Sequence, residues 1–333
     1  MKHKEELELK ERIFSIRSQE EFVSLAIDVF RYQVKYNEVY RKFVEYLNTD
    51  VGNVEALEQI PFLPIELFKK HHILDRKDSP ELYFLSSGTT LSVRSKHYIV
   101  DHLLYEKSIE ESFSLFLSSP KDYIFLGLLP SYQEKGNSSL IYMVDYLMQL
   151  SGKKENGYFL YDHTALKELL KSTRDKKVLL FGVSYALLDF IENEPEVKDL
   201  DLSNLIVMET GGMKGRKEEM TKVALLKELK EGFGIQTIYS EYSMTELLSQ
   251  AYSLGENKYQ SPPWMKILIR NSEDPLSYMA EGRTGGINII DLANLHSASF
   301  IATQDLGRIA GSYFEVLGRI DHADIRGCSL LLL

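Results

Sequence analysis

The sequence has 333 residues, of which 44% are hydrophobic and 26% are charged. This length exceeds the usual size of one domain and favours a large α/β core with a smaller appended unit. A formal net charge of −10 argues against broad nucleic-acid binding, and no apolar run approaches the roughly 20 residues that a membrane span needs. The single cysteine excludes an internal disulfide, and the charged first residues are unlike a signal peptide. We therefore expect a cytoplasmic protein.

Residues 1–60 are rich in charged, leucine and aromatic residues at helical spacing, which predicts a helical N-terminal region. Its apolar positions include Phe22, Leu25, Ala26 and Val29. Two prolines, Pro61 and Pro64, follow, and we expect a turn and then a short helix that starts at the second one.

Residues 61–259 predict an α/β core, because helical and strand-like segments alternate along this part of the chain. The predicted helices are 101–116, 138–150, 164–172, 185–192 and 217–233, and the predicted strands are 123–129, 178–183, 205–209 and 235–238. This alternation indicates a mostly parallel sheet with helices on both faces. Residues 260–333 predict a β-rich subdomain, with strands at 267–270, 286–291, 299–303 and 313–317.

A short loop of small and hydroxylated residues follows the apolar run 82–85. Its members are Ser86, Ser87, Gly88, Thr89 and Thr90. Glycine lets a backbone approach an anion closely, and hydroxyl and backbone N–H groups can donate to phosphate oxygens. The same composition also suits an ordinary turn after a strand, so both interpretations stay open at this point.

Two further segments have the composition of a ligand site. Gly211 and Gly212 follow a predicted strand, and ligands of α/β sheets collect at the carboxyl ends of strands. The segment from Tyr242 to Glu246 combines an aromatic ring for a base, a hydroxyl on Thr245 for a phosphate and a carboxylate for Mg²⁺. A tight turn and a solvated helix face are the structural alternatives.

The C-terminal part adds an acidic residue, arginines and the only thiol. Asp305 lies just after the predicted strand 299–303. Its carboxylate could accept hydrogen bonds from ribose hydroxyls, or the residue could belong to a simple turn. Arg319 could meet a phosphate, and Cys328 could be either a reactive thiol or a small buried residue. His97 could contact phosphate or carry a proton, because an ordinary histidine pKa lies near 6.5.

In this order the motifs resemble those of the adenylate-forming superfamily of acyl-CoA synthetases and ligases. Within the superfamily, the sequence most resembles the LuxE-like acyl-protein synthetases. This narrower resemblance is carried by residues 61–69, 86–98 and 326–328. It implies the fold of the superfamily's N-terminal domain, with mostly parallel sheets and a C-terminal β subdomain. It also implies an ATP site that contains the loop 86–90 with Lys96, the glycine pair, Tyr242, Asp305 and Arg319, with Glu246 as the Mg²⁺ ligand.

Two departures from the superfamily stand out. Leu91 takes the place of a glycine that ordinarily follows the second threonine of the phosphate loop. The sequence also stops soon after Gly318, where the superfamily carries a mobile C-terminal domain with a lysine that contacts the carboxylate. We expect that domain to be missing, as it is missing or reduced in luminescence-type synthetases.

The resemblance implies that a carboxylic acid, such as a fatty acid, is activated with ATP and Mg²⁺ and passed to Cys328. Glu246, Thr245 and His97 are then the other catalytic candidates. A reductase of the acyl-CoA reductase type or an acyl-carrier protein is the expected partner. Two alternatives remain: a ligase or acyltransferase that uses CoA or a carrier while Cys328 is structural, and a non-catalytic nucleotide- or acyl-binding component of a complex.

Overall fold

The structure is a computed structural model that describes residues 2–77, 79–87, 93–130, 136–212 and 220–320. Its α-helices are α1 Lys2–Ile13, α2 Gln19–Tyr36, α3 Glu38–Tyr46, α4 His102–Leu117, α5 Ser139–Ser151, α6 His163–Ser172, α7 Ser184–Asn193 and α8 Lys222–Phe233. Its first strands are β1 Leu63–Pro64, β2 Tyr83–Leu85, β3 Lys96–Tyr98, β4 Ile124–Leu128, β5 Gly157–Tyr158, β6 Val178–Gly182 and β7 Leu205–Glu209. The remaining strands are β8 Tyr239–Tyr242, β9 Ala251–Ser253, β10 Tyr259–Gln260, β11 Met265–Arg270, β12 Gly285–Asp291, β13 Phe300–Ala310 and β14 Tyr313–Arg319.

Twelve of the described strands form one sheet, and β2 and β3 form a separate hairpin. Strands β5, β4, β6, β7 and β8 lie side by side and are all parallel. The sheet continues through the antiparallel strands β9, β10, β14, β13, β12 and β11, and β1 pairs with β13. This arrangement confirms the predicted α/β class with a parallel part followed by a β-rich part. The domain boundary near residue 260 stays a prediction, because hydrogen bonds run through the sheet on both sides of it.

The parallel part is buried on both faces, which explains its sequence. All five residues of β4 and all five of β6 are buried, and both strands are continuous apolar runs rather than alternating ones. Helices α4 and α5 contact each other, as do α7 and α8. Local signals start these helices: Asp101 accepts a hydrogen bond from the Leu104 N–H at the start of α4, and Thr221 caps α8 in the same way.

The structure corrects two predicted strands. The strand expected at 235–238 lies at Tyr239–Tyr242 instead, because Gly234 ends α8 in the left-handed conformation and 235–238 still connect helix to strand. The strand expected at 299–303 extends to Ala310. Asp305 therefore lies inside β13 rather than at its end, next to a register shift between Leu306 and Gly307 that marks a β-bulge. The short helix expected at the second proline is confirmed as a 3-10 helix, Ile65–Lys69.

The N-terminal helices hold the segment between β12 and β13. The amide nitrogen of Gln33 on α2 donates to the carbonyls of Asn294 and Leu295 at 3.1 and 3.0 Å, and its oxygen accepts from the Ser299 N–H at 3.0 Å. Asn37 between α2 and α3 donates to the Ser297 carbonyl at 2.9 Å. Residues 292–299 are thereby given a fixed conformation by a part of the chain about 260 residues away.

A buried ion-pair network connects the same helices to residues 75 and 76, which precede the hairpin of β2 and β3. Asp75 accepts hydrogen bonds from Tyr32 at 2.6 Å, Arg76 at 2.9 Å and His296 at 2.9 Å. Glu6, Asp75 and His296 are the group of possible metal ligands found among the described residues, with ligand atoms within 4.8 Å of one another. Both oxygens of Asp75 are already occupied, and Arg76 adds a positive charge, so we interpret the group as an ion-pair network. No described helix has the length and apolar character needed to cross a membrane.

Candidate active site

The hairpin of β2 and β3 supports the base of the predicted phosphate loop. The Ser86 N–H donates to the Ser95 carbonyl at 3.1 Å, and the Ser95 N–H donates to the Ser86 hydroxyl at 2.9 Å. These bonds bring the two ends of the loop together. Ser87 is exposed at the edge of the loop, whereas Gly88, Thr89 and Thr90 lie outside the described residues.

Lys96 follows this loop and is held between two aromatic rings. Its ammonium lies 3.7 Å from the centroid of the Tyr83 ring and 4.5 Å from that of Tyr98. Tyr83 and Tyr98 are directly paired across the hairpin, so both rings lie on the same face as Lys96. The attraction between cation and ring restrains a flexible side chain and keeps a positive charge beside the loop.

His97 is buried, with 1% of its surface exposed, and both of its ring nitrogens face protein oxygens. Its Nδ1 lies 2.8 Å from the Thr245 carbonyl, and its Nε2 lies 3.0 Å from the Asn294 Oδ1. Two hydrogen bonds orient the side-chain amide of Asn294. Its nitrogen donates to the Glu246 carbonyl at 2.7 Å and to the Ala298 carbonyl at 2.9 Å. Both partners of the imidazole are therefore acceptors.

This pattern constrains the protonation of His97. Only the doubly protonated ring can donate to both oxygens, whereas burial lowers the pKa of His97 to about 4. At neutral pH the ring therefore satisfies one of the two oxygens with a hydrogen bond. The position suits a residue that holds the backbone of Thr245 and Glu246 in place. Direct contact with phosphate, or proton transfer to a substrate, stays a prediction for His97.

The glycine pair after β7 is shaped by a buried ion pair. One oxygen of Glu209, at the end of β7, accepts from the Ser184 hydroxyl at 2.6 Å and from the Gly211 N–H at 2.7 Å, and the other oxygen pairs with Lys222 at the start of α8. Burial alone would raise the pKa of Glu209, but the charge of Lys222 and these hydrogen bonds hold it below its usual range. Gly211 has a φ of 80° and Gly212 a φ of 91°, which side chains with a Cβ rarely adopt.

Tyr242, Asp305 and Arg319 come together from three strands. The Tyr242 hydroxyl donates to Asp305 Oδ2 at 2.7 Å, and the Arg319 Nε lies 3.6 Å from Asp305 Oδ1. Asp305 and Arg319 are directly paired between β13 and β14. Burial raises the pKa of Asp305, and 79% of the Arg319 side chain is exposed. Asp305 thus keeps capacity to accept further hydrogen bonds, and Arg319 is free to turn toward an anion.

Glu246 lies directly after the Thr245 carbonyl that His97 contacts, with 4% of its surface exposed. Burial raises the pKa of Glu246, whereas the positive charges of Arg319 and Lys69 lower it. A poorly hydrated carboxylate beside the predicted phosphate site is the kind of single ligand that Mg²⁺ accepts, because phosphate and water oxygens complete its coordination. The residues present therefore fit a magnesium ion held by Glu246.

The sequence did not reveal three residues of this site: Asn294, Glu209 and Lys222. Glu209 immediately precedes the glycine pair and could have been noticed, because a charged residue at the end of an apolar strand usually has a function or a partner. Asn294 lies about fifty residues from Glu246 in sequence, and its role depends on a tertiary contact. The structure does not describe Cys328, so its position relative to these residues stays a prediction.

Comparison with known proteins identifies the family. The model of the LuxE acyl-protein synthetases matches residues 151–333, more than half of the chain. The chain belongs to the LuxE family. Its matched segment contains Gly211, Tyr242, Glu246, Asp305 and Arg319. The loop 86–90 precedes the segment matched to the LuxE model, so its assignment depends on the hairpin geometry and the superfamily likeness.

Solved structures of adenylate-forming enzymes share the fold. ATP-bound MatB from Rhodopseudomonas palustris superimposes with a TM-score of 0.55 and 16% identity, over 73% of this chain and 49% of that one. A 2-hydroxyisobutyryl-CoA ligase with 2-HIB-AMP and CoA superimposes with a TM-score of 0.65 and 13% identity, over 92% of this LuxE-family chain and 70% of that one. A luciferase-like enzyme from the mealworm Zophobas morio gives a TM-score of 0.53 and 14% identity, over 74% and 60% of the two chains.

This chain spans about half the length of MatB. No curated protein matches the sequence. The likeness to solved structures therefore supports the fold of this LuxE-family member, and its activity is addressed as a proposal below.

Proposed function

We propose that the protein uses ATP and Mg²⁺ to activate a carboxylic acid as an acyl-adenylate and then transfers the acyl group to the thiol of Cys328. The observation that supports the first step is a continuous set of contacts between separate motifs. His97 contacts Thr245 beside Glu246, and Tyr242 contacts Asp305, which is paired with Arg319. These contacts link residues of β3, β8, β13 and β14, and β8 lies beside β7, the strand that precedes the glycine pair.

In the first step a carboxylate oxygen attacks the α-phosphorus of ATP. The new bond joins that oxygen to phosphorus, the bond to the β-phosphate oxygen breaks, and pyrophosphate leaves. Catalysis of such a step consists mainly of positioning and charge neutralisation. The loop 86–90 and Lys96 would bind phosphates, Asp305 the ribose, and Glu246 the Mg²⁺ that neutralises phosphate charge.

In the second step the sulfur of Cys328 attacks the acyl carbon as a thiolate and forms a thioester, and AMP leaves with the electrons of the broken bond. The neighbouring Arg326 supports this role, because a positive charge favours the thiolate over the thiol. A fatty acid is the expected substrate within the LuxE family. An acyl-CoA reductase-like protein or a carrier protein would receive the acyl group. A cytoplasmic location belongs to the same proposal and is supported by the single cysteine.

A second candidate is transfer of the acyl group to CoA or to a carrier, with Cys328 as a structural residue. It is favoured by the likeness in fold to the 2-hydroxyisobutyryl-CoA ligase, whose structure contains an adenylate and CoA. A third candidate is a non-catalytic nucleotide- or acyl-binding component of a complex, which Leu91 in the phosphate loop suggests.

Pyrophosphate exchange into ATP tests the first step. We expect exchange that requires Mg²⁺ and a carboxylic acid, measured over a panel of aliphatic and aromatic acids. Glu246→Gln should lower the exchange rate about 10²-fold or more, because it removes the proposed ligand of the Mg²⁺ that neutralises the phosphate charge. Glu256→Gln is the matched control, since Glu256 is an exposed residue outside the site. Folded protein that exchanges with no acid would contradict the proposal.

Cys328→Ser separates the first two candidates. With a radiolabelled acid, the unsubstituted protein should carry a bound acyl group that hydroxylamine removes. The variant should lose this label and keep its pyrophosphate exchange. A label retained on the Cys328→Ser protein would place the acyl group on a side chain that is not a thiol, and acyl-CoA formation that survives in this variant would favour CoA as the acceptor.

A further inference from the structure

Arg270 is a buried arginine whose guanidinium contacts neutral oxygen atoms of the two neighbouring strands. It is the last residue of β11, and 8% of its surface is exposed. Its Nη1 donates to the Ile287 carbonyl at 2.8 Å and to Asn288 Oδ1 at 2.9 Å, both on β12. Its Nη2 donates to the Thr303 carbonyl of β13 at 2.5 Å. Three hydrogen bonds therefore fix the guanidinium across two strands.

These contacts surround an irregular part of the pairing between β12 and β13. A register shift places residues 303–305 of β13 opposite Ile287 alone, so β13 bulges there. The Ile287 carbonyl accepts from the Thr303 hydroxyl at 2.8 Å as well as from Arg270. Side chains from both neighbouring strands thus hold the bulge at the residue that it faces.

Gly286 gives the guanidinium the space to reach this bulge. Gly286 is directly paired with Arg270 between β12 and β11, so side chains at the two positions would share a face. A Cβ at residue 286 would lie 2.5 Å from the Arg270 Cζ and 2.8 Å from each of its Nη atoms. The glycine therefore allows the arginine to cross β12 and contact β13.

The last residue of the bulge is Asp305, the expected ligand of the ribose. Its N–H donates to the Thr303 hydroxyl at 3.1 Å, and the carbonyl of the same threonine accepts from Arg270. Its carboxylate accepts from the Tyr242 hydroxyl at 2.7 Å, and 16% of its side chain is exposed. Arg270 and Asp305 are thus connected through one threonine, and the carboxylate reaches the surface.

The charge of Arg270 favours the ionised form of this carboxylate. Burial raises the pKa of Asp305, whereas the hydrogen bond from Tyr242 and the positive charges of Arg319 and Arg270 lower it. Arg319 is largely exposed, but Arg270 is buried and fixed. An ionised carboxylate can accept hydrogen bonds on both oxygens, which is what the two hydroxyls of a ribose require.

We propose that Arg270 is a positioning residue for ATP, which holds the bulge 303–305 in the conformation that presents Asp305 to the ribose hydroxyls. This inference rests on the proposed function and adds a residue to its ATP site. Arg270 acts through Thr303 and Asp305 and does not itself touch the nucleotide. Its loss should therefore weaken the recognition of the ribose hydroxyls and leave the binding of the phosphates in place.

The affinities for ATP and for 2′,3′-dideoxy-ATP, measured by calorimetry with Mg²⁺, test this inference. The unsubstituted protein should bind ATP about 10²-fold more tightly, because hydrogen bonds to a charged group are stronger than average. Arg270→Met should lower this ratio about 10-fold by weakening ATP binding alone. Thr303→Val removes the connecting hydroxyl with little change of shape, and it should lower the ratio in the same direction.

A variant at Asp305 separates positioning from a general effect on the fold. Asp305→Ala should lower the ratio to near one, and Arg270→Met added to it should lower the ratio no further, because both substitutions remove the same interaction. A purely structural role for Arg270 would weaken the binding of both nucleotides equally. Far-UV circular dichroism and urea unfolding establish that each variant is folded.

Arg308→Met is the matched control, because Arg308 lies on the same strand but is half-exposed and paired with Glu315. It should keep the ratio of the unsubstituted protein. A ratio unaffected by Arg270→Met and Thr303→Val, or a ratio near one in the unsubstituted protein, would overturn the inference while acid-dependent pyrophosphate exchange upholds the proposed function. A folded protein that binds neither nucleotide would overturn the proposed function, and this inference with it.

Discussion

His97 shows how one side chain can connect two motifs that are distant in sequence. It lies directly after Lys96, yet its hydrogen bonds reach the Thr245 carbonyl and the side chain of Asn294. The ring of Phe68 also packs edge-on against it at a centroid distance of 5.6 Å. The hairpin that supports the predicted phosphate loop and the expected magnesium ligand are therefore positioned relative to each other through the buried imidazole of His97.

Replacement of His97 should impair catalysis through the protein groups that its ring nitrogens contact. His97→Leu removes the one hydrogen-bond donor of the neutral ring, so that neither the Thr245 carbonyl nor Asn294 Oδ1 has a donor from this position, at a cost of about 1–3 kcal/mol for the bond that is lost. We expect the exchange rate to fall about 10- to 100-fold, because Glu246 loses its fixed position. His97→Gln keeps one donor and should fall less. His102→Leu at an exposed histidine is the control, and a fully active His97→Leu variant would exclude the positioning role.

At the scale of elements, the connection from β7 to α8 depends on the pair of Glu209 and Lys222. Glu209 joins the end of β7, the start of α7 through Ser184, and the glycine pair through the Gly211 N–H. Lys222 brings the first turn of α8 to the same carboxylate. Two helices and a strand thus meet beside the glycine pair, which belongs to the proposed ATP site.

Lys222→Met should destabilise the fold by about 3–5 kcal/mol, because it leaves the buried Glu209 carboxylate without its counter-charge. The double variant Glu209→Gln and Lys222→Met should recover much of this loss, since no unpaired charge remains. Urea unfolding monitored by circular dichroism gives the free energies. Lys227→Met, on the exposed side of α8, should change stability by less than about 1 kcal/mol. Equal effects at the two lysines would argue against a buried pair.

At the scale of the whole molecule, the N-terminal helices are attached to the β-rich part by polar contacts as well as by apolar packing. Tyr32, Arg76 and His296 donate to Asp75, while Gln33 and Asn37 fix residues 292–299. Asn294 belongs to that fixed segment. The position of Glu246 therefore depends, through Asn294, on helices at the other end of the chain.

Asp75→Asn should cost about 3–5 kcal/mol of unfolding free energy, as expected when a buried pair loses one partner. Burial alone would raise the pKa of Asp75, but His296, Arg76 and Tyr32 hold it well below its usual range. The carboxylate therefore stabilises the fold fully above the unfolded pKa, near about 4, and this contribution is lost as the pH falls through the folded pKa.

Urea titrations of Asp75→Asn and the unsubstituted protein between pH 7 and pH 3 should show their largest difference at neutral pH and a smaller one in acid. Asp28→Asn is the control, because Asp28 forms a half-exposed pair with Arg12 and should contribute at most about 1 kcal/mol. A pH-independent difference for Asp75→Asn would show that the carboxylate charge is not what stabilises this contact.

The amino-acid sequence by itself determined the α/β class, the helical start and most strands of the core. Apolar runs such as β4 and β6 and the alternation of strand and helix are local signals, because burial on both faces requires apolar residues at every position. The order of the glycine pair, Tyr242, Glu246, Asp305 and Arg319 also pointed to the superfamily and to the LuxE-like family, which the match to residues 151–333 then confirmed.

Only the tertiary structure decided how these motifs are supported. Asn294, Glu209 and Lys222 act through contacts between distant parts of the chain, and one sequence carries no local sign of such pairings. The length of β13 and the place of Asp305 within it were also missed, because a β-bulge depends on the partner strand. Hydrophobic periodicity is a property of each element alone, whereas the satisfaction of buried polar groups depends on what the fold places next to them.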